Sequence, residues 1–198
     1  MEITAGQVKE LRARTGAGVI DCRNALAEAR GDLEKAQQLL RAKGLAAAAR
    51  KSGRVAKEGL VTSYIHGEGR LGVLVELNCE TDFVARTDDF KTLAREIALQ
   101  VAASDPRYVA REDVPDDVAD AERAAYLAKA RADGKDGVEA EAEVIRQMEK
   151  YFEASCLLDQ PFIRDEHRSV GDLIKEVIAR TGENIQVRRF ARFRLGEG

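Results

Sequence analysis

The sequence predicts an α+β protein: an N-terminal module of three short helices, then an antiparallel sheet covered by helices, with a helical hairpin projecting from it. Residues 59–66 and 71–79 are β-branched and apolar runs either side of Gly67-Glu68-Gly69-Arg70, the pattern of an antiparallel hairpin. Phe90, Leu93, Ala94, Ile97, Ala98 and Val101 recur at the spacing of one helical face. The polar stretch from Asp116 to Cys156 breaks at Gly134-Lys135-Asp136-Gly137, as two antiparallel helices would.

From the N-terminus, Thr4 and Gln7 form a capping box for a first helix, whose Val8 and Leu11 share one face, and Gly16-Ala17-Gly18 breaks it. A second helix is expected from about Val19 to Ala29, with Cys22, Leu26 and Ala29 on one side. Gly31-Asp32 stops it and caps a third, which carries Leu33, Ala36 and Leu40 and which Gly44 is expected to close. So few residues bury too little apolar surface to be very stable alone, so residues 1–44 read as a docking module. The alanine-rich run Leu45 to Lys57, with Arg50, Lys51, Arg54 and Lys57, reads as a helical connector (45–58) with a solvated basic face.

Residues 59–198 then form the α+β core, with the helical hairpin inserted at about 116–156. Pro106 ends the long amphipathic helix. Ser169 and Asp172 cap another, Val170 to Arg180, with Leu173, Ile174, Val177 and Ile178 facing inward and Gly182 supplying its C-terminal turn. A strand from Asn184 to Leu195 finishes the chain.

Composition narrows function by exclusion. With 32 Lys and Arg against 35 Asp and Glu, the net charge of -3 gives no global pull toward nucleic acid or an anionic membrane. Charged residues in the first twenty positions and the lack of any bilayer-length apolar run point to a cytoplasmic protein. Cys22, Cys79 and Cys156 are widely spaced, without metal-ligand spacing, and read as reduced, mostly buried thiols; no metal or cofactor is expected.

Gly67-Glu68-Gly69-Arg70-Leu71-Gly72 matches a dinucleotide fingerprint in letters, but a strand follows it where the fingerprint needs a helix N-terminus. A kinase reading fails because Val84 follows Asp82-Phe83 where glycine is required. No phosphate-binding lysine loop or nucleophile elbow is present, so no enzymatic chemistry is expected. The strand Val187 to Arg194 interleaves Arg188, Arg189, Arg192 and Arg194 with Phe190 and Phe193, which offers an alternative function as an RNA-binding module. Against it stands the simpler reading, in which those arginines pair with the chain's own acids.

The most informative residues are Asn78-Cys79-Glu80-Thr81-Asp82-Phe83-Val84-Ala85-Arg86, between a strand and a helix. Phe83 lies outside the periodic set of the helix that follows, and Thr87 or Asp88 is better placed than Asp82 to cap it. The aromatic is thus free to anchor a partner.

This segment, with Val8-Lys9-Glu10-Leu11-Arg12, Thr15-Gly16-Ala17-Gly18, Gly72-Val73-Leu74-Val75-Glu76, Gln160-Pro161-Phe162 and Gly182-Glu183-Asn184-Ile185, resembles the bacterial elongation factor Ts family in its short form, with one copy of the core. The resemblance implies a guanine nucleotide exchange factor for elongation factor Tu, with Thr81, Asp82, Phe83 and Val84 as the element that wedges beside the nucleotide site and dislodges Mg2+. It implies that the three-helix module is similar to ubiquitin-associated domains and docks on the GTPase through Val19 and Ile20, where methionines are usual in the family. His66, Thr181 and Gly182 match secondary contacts, and a homodimer binding two elongation factor Tu molecules, in GDP-bound and nucleotide-free forms, is implied. Direct binding of nucleic acid or membrane is not expected.

Overall fold

The structure, a computed structural model, describes residues 3–197. In chain order it runs α1 (Ala5–Thr15), α2 (Val19–Glu28), α3 (Leu33–Ala49), β1 (Glu58–His66), β2 (Leu71–Cys79), α4 (Asp82–Ala85) and α5 (Asp88–Ser104). After a 3-10 turn at Arg111–Asp113 come α6 (Asp116–Ala132), α7 (Gly137–Ser155), β3 (Pro161–Phe162), β4 (Asp165–Ser169), α8 (Val170–Thr181) and β5 (Ile185–Arg194). The main sheet is antiparallel and has the order β1-β2-β5, so the α+β class stands.

Two compact units divide the chain. The first extends through Leu60 and adds Leu77–Leu93 and Asp172–Gln186; the second takes Val61–Glu76, Ala94–Gly171 and the chain from Val187 onward.

In the first unit, α1, α2 and α3 close around Leu11, Cys22, Ala25, Leu26 and Ala36, with Val8, Leu33 and Leu40 packed at the edge. Their ends follow the capping chemistry of the sequence. The Thr4 hydroxyl accepts from the Gln7 N–H while the Gln7 side chain accepts from Thr4 N, and Gly16 turns left-handed at φ 69°. Asp32 accepts from the backbone N–H groups of Lys35 and Glu34, which holds its carboxyl below its ordinary range.

Two sequence expectations fail here. Gly44 does not close α3, which continues to Ala49, and the helical connector therefore covers only the first part of Leu45 to Lys57. A glycine inside a helix costs roughly 1 kcal/mol relative to alanine, too little to end a helix that tertiary contacts support. Beyond Ala49, the Ser52 hydroxyl donates to the Ala49 carbonyl, and the side-chain amide of buried Asn184 donates to the carbonyls of Ser52 (3.2 Å) and Arg54 (2.7 Å). Those donors stabilise a turn where propensity alone favours helix. At the start of β1, a Cβ on Gly59 would lie 2.1 Å from the Leu77 carbonyl oxygen, so only glycine lets the two backbones approach.

In the second unit, α6 and α7 pair as the predicted hairpin around Gly134 and Gly137, both at positive φ. The Arg111 guanidinium fastens its base: it donates to both carboxylate oxygens of Glu149 (2.9 and 2.8 Å), donates to Asp159 (2.8 Å) and lies 4.7 Å over the Phe152 ring. Buried Gln100 donates to Gln160 Oε1 and the Pro161 carbonyl and accepts from the Ile163 N–H, satisfying the polar groups around β3. The β3–β4 pair has no counterpart in the sequence reading, and it places His167 in a strand rather than in a charged turn. A two-residue strand is too short to show alternation.

Candidate functional site

The signature segment begins where β2 ends. Val73, Val75, Leu77 and Cys79 alternate into the core, which fixes where the chain leaves the sheet. Burial pushes the Cys79 thiol up to about 11, with the Glu183 carboxylate adding to the shift, so it is an unreactive donor to the Thr81 carbonyl (3.1 Å).

A one-turn helix that the sequence reading did not foresee follows. The Thr81 hydroxyl caps α4 by accepting from the Val84 N–H (3.4 Å). Val84 and Ala85 are buried and pin the turn from below. At its exit the Thr87 hydroxyl donates to the Val84 carbonyl (2.7 Å) and accepts from the Phe90 N–H (3.3 Å), which confirms Thr87 as the cap of α5. With both flanks fixed, the large apolar side chain left outside is Phe83, 77% exposed. Asp82 beside it forms a solvent-exposed pair with Arg86 at 2.7 Å, an interaction of small net worth that a partner can exchange for another.

Two carboxylates brace the segment, one within it and one more than a hundred residues further along the chain. Glu183 accepts from the Thr81 N–H (3.0 Å) and hydroxyl (2.6 Å). Glu80 returns the contact by accepting from the Asn184 N–H (2.6 Å) and lies 3.5 Å from Arg54. Charge-assisted hydrogen bonds of this kind are among the stronger ones available to a loop.

Val19 and Ile20 lie in the first turn of α2, 53% and 74% exposed. Val19 borders a groove of about 400 Å3 floored by Ile3, Ala5 and Val8 and edged by Lys9, Arg12 and Arg23. Among the described residues, no group of three or more His, Cys, Asp or Glu could hold a metal ion, and no helix is long and apolar enough to cross a membrane.

Compared with known proteins, residues 34–197 match the family described as Elongation factor TS. The chain is similar, at 59% identity over 99% of its length and 90% of the relative's, to elongation factor Ts of Carboxydothermus hydrogenoformans. It is 55% identical to that of Caldanaerobacter subterraneus subsp. tengcongensis over 99% of this chain and 98% of the relative, and 54% identical to that of Fervidobacterium nodosum over all of both. The chain belongs to the elongation factor Ts family.

His66 ends β1 with its ring stacked on Tyr64 (centroids 6.0 Å apart) and its Nδ1 3.1 Å from the tyrosine hydroxyl. Thr181 donates to the Val177 carbonyl, and Gly182, at φ 80°, donates its N–H to the Ile178 carbonyl; together they end α8 immediately before the Glu183 brace. In β5, Arg189 pairs with Glu76 (2.7 Å), Arg192 with Asp105 and Glu197, and Arg194 with Glu197. Three of the four arginines of the RNA-binding alternative thus lie in ion pairs, those of Arg189 and Arg194 at the surface. The sequence reading gives Glu80, Glu183 and Asn184 no separate role, although Glu80 lies in the signature segment and the other two in Gly182-Glu183-Asn184-Ile185, where the signal is polar residues between a helix stop and a strand.

Proposed function

We propose that this chain speeds GDP release from elongation factor Tu by inserting Phe83 between helices of the GTPase beside its nucleotide site, with Asp82 disturbing the phosphate and metal network so that Mg2+ is dislodged. Family membership carries the coarse part, nucleotide exchange on elongation factor Tu during translation elongation. Phe83 supports the finer part, because it is a large apolar side chain held outside on a segment whose backbone is capped and braced on both flanks. A pre-formed aromatic anchor loses little conformational entropy on insertion, so more of its burial appears as binding.

The magnitudes define the division of labour. Burying one Phe side chain is worth about 2–3 kcal/mol, which is roughly thirty- to a hundred-and-fortyfold in an equilibrium constant. By linkage, the factor by which the chain weakens GDP binding equals the factor by which GDP weakens the chain's own binding. Additional affinity then comes from Val19 and Ile20 on the GTPase surface, with His66, Thr181 and Gly182 as secondary contacts. Exchange breaks no covalent bond, so the chain acts as a binding partner without cofactor or enzymatic chemistry, in the cytoplasm and without contacting nucleic acid. Its single core copy supports a homodimer carrying two elongation factor Tu molecules, a closed two-fold arrangement.

Stopped-flow release of fluorescent GDP from elongation factor Tu tests the wedge. Phe83→Ala is expected to lower the saturating release rate about thirtyfold with the fold intact. An unchanged saturating rate would remove Phe83 from the mechanism.

A further inference from the structure

The three-helix module is held against α8 at three places. Gly44, in the middle of α3, faces Ala179: a Cβ on the glycine would lie 3.1 Å from the alanine methyl. Gly16, at the turn after α1, lies under the Arg180 side chain, where a Cβ would come within 2.7 Å of Cδ, and the same guanidinium reaches Asp89 of α5 at 3.4 Å. Arg41 on α3 spans to Asp172 (3.4 Å) and Glu176 (3.5 Å) on α8. The proposed wedge requires none of these contacts. They adjoin, along the chain, the two surfaces it uses: α2 begins three residues after Gly16, and the end of α8 leads into the Glu183 brace of Thr81.

We infer that Gly44, Gly16 and Arg41 are positioning residues that latch the module onto α8, so that Val19 and Ile20 reach the partner at a fixed offset from Phe83. The inference rests on the proposed wedge and docking roles and adds what couples them. Two contacts on one rigid body engage together, whereas two joined by the irregular chain beyond Ala49 must find their sites in succession at the tether's effective concentration. The latch therefore acts on affinity. Once the complex has formed, Phe83 works equally well with or without it.

Gly44 suits the close approach because its small size, and not an unusual φ, is what the contact uses: it lies in regular helix and is absent from the positive-φ positions. Replacing it with leucine improves helix propensity while filling the space occupied by Ala179, which separates loss of the latch from loss of α3. Arg41 gives a second, milder break that charge exchange can repair.

The test measures stimulated GDP release from elongation factor Tu against factor concentration for Gly44→Leu, Arg41→Glu and the pair Arg41→Glu with Glu176→Arg. Gly44→Leu is expected to raise the half-saturating concentration about tenfold at an unchanged saturating rate. Arg41→Glu should raise it less, and Glu176→Arg should recover part of that loss, which a merely structural arginine would not show. In parallel, spin labels on Gln37→Cys and Lys175→Cys should give one narrow distance in the otherwise unaltered protein and a broad distribution with Gly44→Leu; the native cysteines are buried and stay unlabelled. A broad distribution in the unaltered background, or half-saturation unmoved by both Gly44→Leu and Arg41→Glu, overturns the latch. Failure of the wedge is separate, since it appears as a saturating rate indifferent to Phe83→Ala while the label distance still reports the latch.

Discussion

Phe83 on α4 and Val138 on α7 are about equally exposed, at 77% and 83%, yet the chain secures their surroundings in different ways. Around Phe83 the fastening acts on backbone: Glu183 holds the Thr81 N–H, Thr81 caps Val84, and Thr87 takes the next carbonyl. Around Val138 it acts through side chains, with Arg111 at the base of the α6–α7 hairpin and Glu143 near its tip joined to Lys135, Arg146 and Gln147. Backbone bonds fix where one side chain points, while these side-chain pairs tie α7 to the turn before α6 and to the loop between the two helices without fixing where Val138 points. The proposed wedge therefore rests on exposure combined with a braced backbone, and not on exposure alone.

A matched pair of substitutions tests that contrast most severely. Phe83→Asp should reduce the saturating rate of stimulated GDP release by about thirtyfold or more, the loss of a hot spot of ~2 kcal/mol plus the cost of a misplaced charge. Val138→Asp, which places the same group at a position at least as exposed, should leave that rate within a factor of about two and change thermal stability little. Comparable losses from both would mean that the hairpin also faces the partner. In that case backbone bracing is no guide to function.

The next effect in size comes from the brace. Glu183→Ala leaves the Thr81 N–H and hydroxyl without their acceptor, at a cost of about 1 kcal/mol in stability. If the brace aims Phe83, the saturating rate should fall about fivefold, because a small displacement of a wedge weakens every contact it makes. A stability loss without a rate loss, read by denaturant unfolding beside stopped flow, would reduce Glu183 to a structural role.

The two regions were also unequally legible in the sequence. The hairpin could be read in full, since its helices are long and its break is a glycine pair, and both signals are local. In the signature loop, Phe83 stood out because it falls outside the spacing of Phe90, Leu93 and Ile97, and Thr87 was identifiable as a cap. Its supports were invisible: α4 is a single turn, below the length at which periodicity exists, and Glu183 lies far from Thr81 along the chain. The misread end of α3 has the same origin. Gly44 is a helix stop by propensity, but its missing methyl is used by Ala179, a neighbour no local window contains.

At the hairpin base, Arg111→Met keeps the aliphatic stem over Phe152 but removes a bidentate pair with Glu149 and a bond to Asp159. The remaining carboxylates are partly solvated, so the expected loss is only about 1 kcal/mol. It should appear as faster amide hydrogen exchange along α7, with the saturating GDP release rate unaltered. A fall in that rate would show that hairpin orientation reaches the partner after all.

The smallest effect is a pH dependence confined to the hairpin tip. Bonds from Gln147 and Lys135, then the charge of Arg146, pull the Glu143 carboxyl down from its ordinary 4.5 to about 2. Because the folded value is the lower one, the unfolded chain binds the proton first, so the stabilisation is fully present above pH 4.5 and is lost as pH falls toward 2. Glu143→Gln cannot titrate, and its α6–α7 amides should exchange at nearly constant protection over that window while those of the unaltered protein lose theirs. Around Thr81 the glutamine variant should leave protection unchanged at every pH, because that segment is held by a different carboxylate. Parallel changes at both places would mean that tip and loop open as one cooperative unit, and the contrast between backbone bracing and side-chain pairing would then describe geometry without describing independent stability.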